Sequence, residues 1–109
     1  MTKSELGRIT STHLGFHDGG VLTFWLNFDF GGNWQGFGGY SLVDDGASLV
    51  IEGILEALAV DKWEDLTGKV CWVERESDGF NARIVTIEAP KFIKGGGKFD
   101  IREVFKTAS

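Results

Sequence analysis

The stretch from residue 21 to residue 40, VLTFWLNFDFGGNWQGFGGY, constrains the fold of this chain more than any other. Large apolar side chains occupy every second position of its first half, namely Leu22, Phe24, Leu26, Phe28 and Phe30. Such period-two alternation is typical of a β-strand with one buried face. Gly31-Gly32-Asn33 predicts a turn, after which Trp34–Tyr40 runs back as a segment rich in glycine and aromatic residues. The stretch therefore predicts an antiparallel hairpin against which the rest of the chain packs.

The flanking sequence predicts further strands and two helices. Asp18-Gly19 and Asp78-Gly79 are strong hairpin signals between strand-like segments. The predicted elements are strands over 5–16, 69–76 and 80–89, a main helix over 47–60 with apolar residues at helical spacing, and a short helix over 62–66. The sequence thus predicts an α+β fold. We expect an antiparallel meander of about five to six strands, with both helices packed on one face of the sheet.

Two local features of this scheme carry expectations of their own. Asp45 or Ser48 can cap the start of the main helix, and Gly53 inside it is expected to admit another backbone closely. Residues 91–109 alternate weakly between apolar and charged side chains. This tail predicts either a late strand, which we favour over 98–105, or an arm that orders on a partner.

Size and composition exclude several classes of protein. The 109 residues form a single predicted domain, 1–109. A net charge of −5 argues against direct binding to nucleic-acid backbones, which requires a positive field. The only cysteine, Cys71, excludes an internal disulfide and lies in an apolar segment, which predicts a buried and unreactive thiol. With no apolar run of membrane-spanning length and no signal-peptide pattern, a cytoplasmic protein without membrane contact is expected.

The glycine–aromatic segments are the first candidate binding site. Glycines allow a ligand to approach the backbone, and indole rings offer surfaces on which a base can stack. The candidate ligand-binding residues are the backbone amides of Gly19, Gly20, Gly38 and Gly39 and the side chains of Trp25 and Trp34. The alternative is a bulged strand whose glycines relieve crowding under the two tryptophans. No phosphate-loop ending follows these glycines.

The segment Phe80-Asn81-Ala82-Arg83 is the second candidate. Phe80 can stack on a base, Asn81 can hydrogen-bond its edge, and Arg83 can pair with a phosphate. On a regular strand Phe80 would face away from the other two, so one pocket would need a bulge or a symmetry mate. The alternative is an ordinary strand with a solvated Arg83.

The sequence does not predict an enzyme. His13 and His17 fall in a predicted strand and turn, where they do not form the metal-binding pair of a helix. No nucleophile with a base, paired carboxylates at defined spacing or metal set is recognisable. We therefore expect no catalytic residues, no metal and no cofactor.

Three segments resemble a family of small phage and prophage proteins. They are STHLGF at 11–16, HDGGVLT at 17–23 and QGFGGY at 35–40, and a fourth, KWEDLTGK at 62–69, follows the predicted helix as in the family. The family pattern reads STxLGxEDHGILT, then GGxxQGFGGYxLD, then a helix and a WEDLKGK-like segment. The resemblance spans roughly residues 10–75. Residues 41–44, SLVD, replace the aspartate and basic loop that follow the tyrosine in the family.

This resemblance implies a phage-encoded accessory protein similar to the anti-Thoeris sponges. Those proteins bind cyclic ADP-ribose signals without chemistry, at the interface of a homodimer or larger assembly. The leading hypothesis is therefore an oligomeric counter-defence protein that sequesters a cyclic nucleotide signal. Because the basic loop of the family is missing, the ligand of this chain is expected to differ if that loop contacts a phosphate.

Two alternatives belong to other classes of function. The first is a protein–protein inhibitor, such as an anti-CRISPR, whose acidic surface occludes a nucleic-acid-binding effector. Its candidate partner-binding residues are Asp29, Asp44, Asp45, Glu52 and Glu56. The second is a virion or scaffold component without a ligand.

Overall fold

The computed structural model describes residues 4–16, 20–42, 46–77 and 82–108, with side chains up to residue 104. Within these ranges six strands, two α-helices and one 3₁₀ helix form. Their bounds are β1 Ser4–Phe16, β2 Leu22–Asp29, β3 Trp34–Ser41, α1 Ala47–Ala57, the 3₁₀ helix Trp63–Leu66, β4 Val70–Arg75, β5 Ile84–Glu88, β6 Lys98–Asp100 and α2 Ile101–Ala108.

The strands form one antiparallel sheet in the order β3-β2-β1-β4-β5-β6. The long strand β1 holds the two halves together, since its second half pairs with β2 and its first half pairs with β4. A register shift between Ile9 and Ser11 marks where β1 passes from one partner to the other. The predicted α+β fold, with an antiparallel sheet of about five to six strands, a main helix and a short second helix, is confirmed, and the sheet has six strands.

The alternating residues of β2 supply the centre of the core. Phe24, Leu26 and Phe28 are completely buried, whereas Leu22 and Phe30 at the two ends are half-buried. Val50 and Ile54 of α1 belong to the same buried cluster. One face of the sheet is thus packed against α1, as period-two patterning requires.

The sheet is strongly curled without being closed. Phe37 of β3 and Phe99 of β6 lie on strands at opposite ends of the strand order, yet their ring centroids are only 6.5 Å apart. Phe99 also packs against α1 at Gly53, where an added Cβ would lie 2.5 Å from the ring. Gly53 therefore makes room for an aromatic ring, whereas the sequence predicted the close approach of another backbone.

The start of α1 differs from the prediction. Its N-cap is Gly46, with φ of 94°, and no capping side-chain hydrogen bond is made within the described residues. Ser48 lies inside the helix, and Asp45 lies outside the described residues. A glycine suits this position because it adopts a positive φ at little cost.

The chain after β4 also departs from the expected pattern. Of the strand expected over 80–89, β5 covers Ile84–Glu88, residues 82, 83 and 89 are not in a strand, and residues 80–81 lie outside the described residues. The tail strand expected over 98–105 ends at Asp100, where α2 begins. Asp100 accepts a hydrogen bond of 2.9 Å from the backbone N–H of Arg102, as an N-cap residue does. Its neighbour Ile101 is buried. The late-strand prediction is wrong for 101–105 because this cap and helical burial override the weak alternation.

No helix in the described part of the chain is long and apolar enough to cross a membrane.

Candidate functional site

The motif strand β3 meets the segment that leads into β5. Gln35 Nε2 donates a hydrogen bond of 2.9 Å to the carbonyl oxygen of Ala82. Gln35 Oε1 accepts one of 2.6 Å from Nε of Arg75, whose NH1 lies 2.5 Å from Oε1 of Glu5. These contacts join three strands to the chain entering β5. They fix the position of residues 82–83 relative to the QGFGGY motif.

Tyr40 and Arg83 come together at the other end of the motif. The Arg83 guanidinium lies close enough to the Tyr40 phenol to interact with it electrostatically. Burial raises the pKa of Tyr40, and the nearby guanidinium opposes that rise. The Tyr40 ring stacks on Phe24, with centroids 5.9 Å apart. Arg83 is therefore held beside a rigid aromatic surface, and it is the member of the predicted set whose placement best suits binding an anion.

Arg83 keeps access to solvent. Its side chain is 55% exposed, and its NH2 lies 3.4 Å from Oε2 of Glu76, which is 49% exposed. A loose ion pair between two exposed side chains contributes little free energy. A phosphate can compete with Glu76 for the guanidinium.

Trp25 and Trp34 do not share the face of the sheet on which the neighbouring core-facing side chains of β2 and β3 lie. Trp25 alternates with the core residues of β2, so it projects from the opposite face of the sheet. Its indole covers β3, where a Cβ on Gly39 would lie 2.7 Å from the ring and one on Gly36 would lie 3.3 Å from it. Trp34 is 79% exposed and precedes the inward-facing Gln35. One protomer therefore does not gather both tryptophans and Arg83 into a single pocket.

The glycines have different surroundings. Gly38 has φ of 133°, and an added Cβ would overlap the carbonyl oxygen of Phe24. Together with the register shift between Thr23 and Trp25, this geometry fits the bulged-strand alternative. Gly20 is exposed with φ of 82°. Three predicted ligand-binding residues lie outside the described residues, namely Gly19, Phe80 and Asn81.

The acidic residues of the inhibitor hypothesis lie in different surroundings. Asp29 accepts a hydrogen bond of 2.8 Å from the Gly31 N–H and lies 3.9 Å from Arg8. Glu52 and Glu56, by contrast, are exposed on α1 and have no ion-pair partner among the described residues. Asp44 and Asp45 lie outside the described residues.

Glu52 and Glu56 border a groove of about 500 Å³ between α1, β6 and α2. Its lining is apolar at Leu49, Phe99 and Val104. Further carboxylates, Asp100 and Glu103, lie along it. A hydrogen bond from Arg102 lowers the pKa of Asp100, so that carboxylate is ionised. The groove therefore combines an apolar floor with a negative rim.

No protein-family model, curated protein or solved structure matches this chain.

The described side chains can bind charged groups, and their arrangement does not form a metal site. Among the residues that the structure describes, no group of three or more His, Cys, Asp or Glu side chains could hold a metal ion. Cys71 is buried, which raises the pKa of its thiol to about 12. The thiol is therefore protonated at neutral pH and unsuited to nucleophilic attack.

No sequence motif assigned a role to Gln35, Tyr40 or Arg75 in binding. Gln35 and Tyr40 belong to the QGFGGY motif, and their position beside the glycines of that motif could have indicated a role in the site. Arg75 has a weaker one, because it is a charged residue at the end of the apolar strand β4.

Proposed function

We propose that this chain is a non-enzymatic counter-defence protein of phage or prophage origin that binds and sequesters a cyclic nucleotide or cyclic ADP-ribose immune signal in the host cytoplasm. The observation that carries the proposal is the hydrogen bond of 2.9 Å from Gln35 of β3 to the carbonyl oxygen of Ala82, next to Arg83. It joins the family-like motif strand to the segment for which a base and phosphate site was predicted. In this proposal Arg83 binds a phosphate, and the adjacent Phe80 and Asn81 contact the base.

The proposed active form is a homodimer or higher homo-oligomer. Trp34 lies on the edge strand β3 and is 79% exposed. Alternation along β3 directs it away from the side of its neighbour Gln35, which hydrogen-bonds Ala82. A second copy paired antiparallel with β3 would place its own Trp34 near Tyr40 at the other end of the strand. The two halves of the predicted ligand-binding set would then come from different subunits.

Thermal unfolding and tryptophan fluorescence test this proposal against a panel of cyclic nucleotides and cyclic ADP-ribose isomers. A ligand at a hundred times its dissociation constant stabilises the folded state by about 2.7 kcal/mol, which raises the melting temperature clearly. Stacking on Trp34 should also quench its fluorescence. If the melting temperature is unchanged across the whole panel, the proposal is wrong.

We predict that Arg83→Ala abolishes the ligand-induced rise in melting temperature. The exposed Arg8→Ala is the matched control, since its guanidinium makes a comparable loose pair with Asp29 at 3.9 Å. Loss of a charge-assisted hydrogen bond to phosphate weakens binding by about 1.5–3 kcal/mol, whereas Arg8→Ala should leave affinity unchanged. Phe80→Ala combined with Arg83→Ala should bind no ligand, and full binding by this double variant contradicts the assignment.

A second candidate is a protein–protein inhibitor, anti-CRISPR-like, that occludes the nucleic-acid-binding surface of an effector. The specific observation in its favour is that Glu52 and Glu56 are exposed, unpaired within the described residues and one helical turn apart on α1. We expect the purified chain to retain an effector from host extract and the variant E52Q/E56Q to lose it. Equal retention by both chains would count against this candidate.

A further inference from the structure

The groove between α1, β6 and α2 has the composition of a peptide-docking surface. Its floor includes Leu49, which is 53% exposed, and the Phe99 ring where it packs on Gly53. Val104 of α2 contributes a partly buried side chain. A volume of about 500 Å³ is within the usual range for binding pockets, about 300–1,000 Å³. The groove can therefore accommodate several apolar atoms of a ligand.

Most of the charged side chains that line this groove are acidic. Glu52, Glu56 and Glu103 line it, and the lysine in its lining, Lys98, lies 3.8 Å from Glu74. The carboxylate of Asp100 accepts hydrogen bonds from the guanidinium of Arg102, with oxygen–nitrogen distances of 2.8–2.9 Å. The carboxylates of Glu52 and Glu56 thus remain without a cationic partner in the described part of the chain. Such a rim repels nucleotides and attracts cationic groups.

We propose that this groove docks a basic amphipathic segment of a partner protein, whose apolar side chain rests on Leu49 and Phe99 while flanking Lys or Arg side chains pair with Glu52 and Glu56. The two glutamates are four residues apart on α1, so their carboxylates flank one turn of helix. Charge complementarity sets the register of the bound segment, and burial of its apolar side chain supplies affinity. The inference is independent of nucleotide binding at Arg83 and names the ligand chemistry of the inhibitor candidate.

Fluorescence anisotropy with a defined peptide tests the inference. The probe is a short fluorescein-labelled peptide with leucines at helical spacing and lysines or arginines between them, compared with a peptide of the same composition in scrambled order. The full-length chain should bind the patterned peptide more tightly than the scrambled one. Equal binding of the two peptides, or no binding, would overturn the proposal.

Two variants separate the groove from the general negative charge of the chain. Neutralising the rim in E52Q/E56Q should weaken binding about five-fold or more, since each exposed pair contributes up to about 1 kcal/mol. The control D61N/E64Q changes the net charge equally at two exposed residues outside the groove and should alter affinity less than about two-fold. Equal weakening by both variants would show non-specific attraction and refute the site.

The apolar floor has a test of its own. Leu49→Gln keeps a good helix former at a half-exposed position, so the variant should fold while binding the patterned peptide several-fold more weakly. Spermine, a cation without an apolar face, should displace the peptide only at a large excess. If Leu49→Gln binds like the parent chain, the apolar contact is absent and the proposal fails.

Discussion

Arg75 is the residue on which the shape of the candidate site most depends. Its side chain is only 15% exposed, and its guanidinium lies over the Phe30 ring, 4.6 Å from the centroid. It also binds Glu5 and Gln35, which belong to β1 and β3. One guanidinium thus links three strands with hydrogen bonds that are charge-assisted and mostly shielded from water.

We predict that Arg75→Ala lowers the free energy of unfolding by about 2–3 kcal/mol. The variant leaves Gln35 without its donor and exposes the Phe30 ring, while the half-exposed Glu5 regains water and limits the cost. Arg8→Ala removes an exposed pair and should change stability by less than about 0.5 kcal/mol. Urea denaturation measures both. Equal stability of the two variants would mean that the Arg75 network contributes nothing.

Cys71 makes stability depend on pH in the alkaline range. Burial raises the pKa of its thiol from 9.0 in an exposed peptide to about 12 in the folded chain. Below pH 9 both states keep the proton, so the stabilisation is fully present. As pH rises from about 9 to about 12, only the unfolded state ionises, and the free energy of unfolding falls.

A Cys71 variant and a thiol reagent test the burial of this thiol. Cys71→Ala should show a smaller loss of stability between pH 9 and pH 11 than the parent chain, measured by denaturant midpoints. At pH 8 a thiol reagent should modify the folded chain only at the rate at which it opens. Immediate modification of the native protein would contradict the burial of this thiol.

At the scale of elements, the glycines of β3 act through the bulge beside Trp25. Gly38 has φ of 133° and no room for a Cβ next to the Phe24 carbonyl. We predict that Gly38→Ala destabilises the fold by at least about 2 kcal/mol, through backbone strain and displacement of β2. Gly32→Ala is the control, because no atom lies within 4 Å of its added Cβ and its φ is not positive.

Thermal melts of these two glycine variants test whether stability depends on the bulge at Gly38. The free energy of unfolding of Gly32→Ala should lie within about 0.5 kcal/mol of that of the parent chain. If Gly38→Ala is equally stable, the bulge is dispensable and the glycines of the motif must be explained by ligand contact alone.

Strong local patterns predicted most of the elements. The alternation of Leu22–Phe30 and the helical spacing of 47–60 were sufficient because packing and propensity agree there. The tail was not predictable in this way, since Phe99 and Ile101 fit a strand as well as a helix start. Its structure depends on the local Asp100 cap and also on packing against α1, which involves residues distant in sequence.

At the scale of the whole molecule, the curl of the sheet determines what the candidate site contains. It brings Phe37 within reach of Phe99 and Gln35 within reach of Ala82, although these residues are 47 or more positions apart in sequence. Sequence patterns fix which side chains share a face of a strand, but not how strongly a sheet bends. The contact of Gln35 with the chain at Ala82 was therefore not predictable, whereas the outward placement of Trp34 follows from the alternation along β3.

Native mass spectrometry of the purified chain with the cyclic nucleotide panel tests the central claim most directly. It reports the oligomeric state, the stoichiometry and the intact mass of any bound ligand in one measurement. We predict a homodimer or larger assembly carrying one ligand class whose mass is unchanged after incubation, and no complex with Arg83→Ala. A chain that binds no member of the panel, or that releases a ligand of altered mass, would contradict the proposed sequestration.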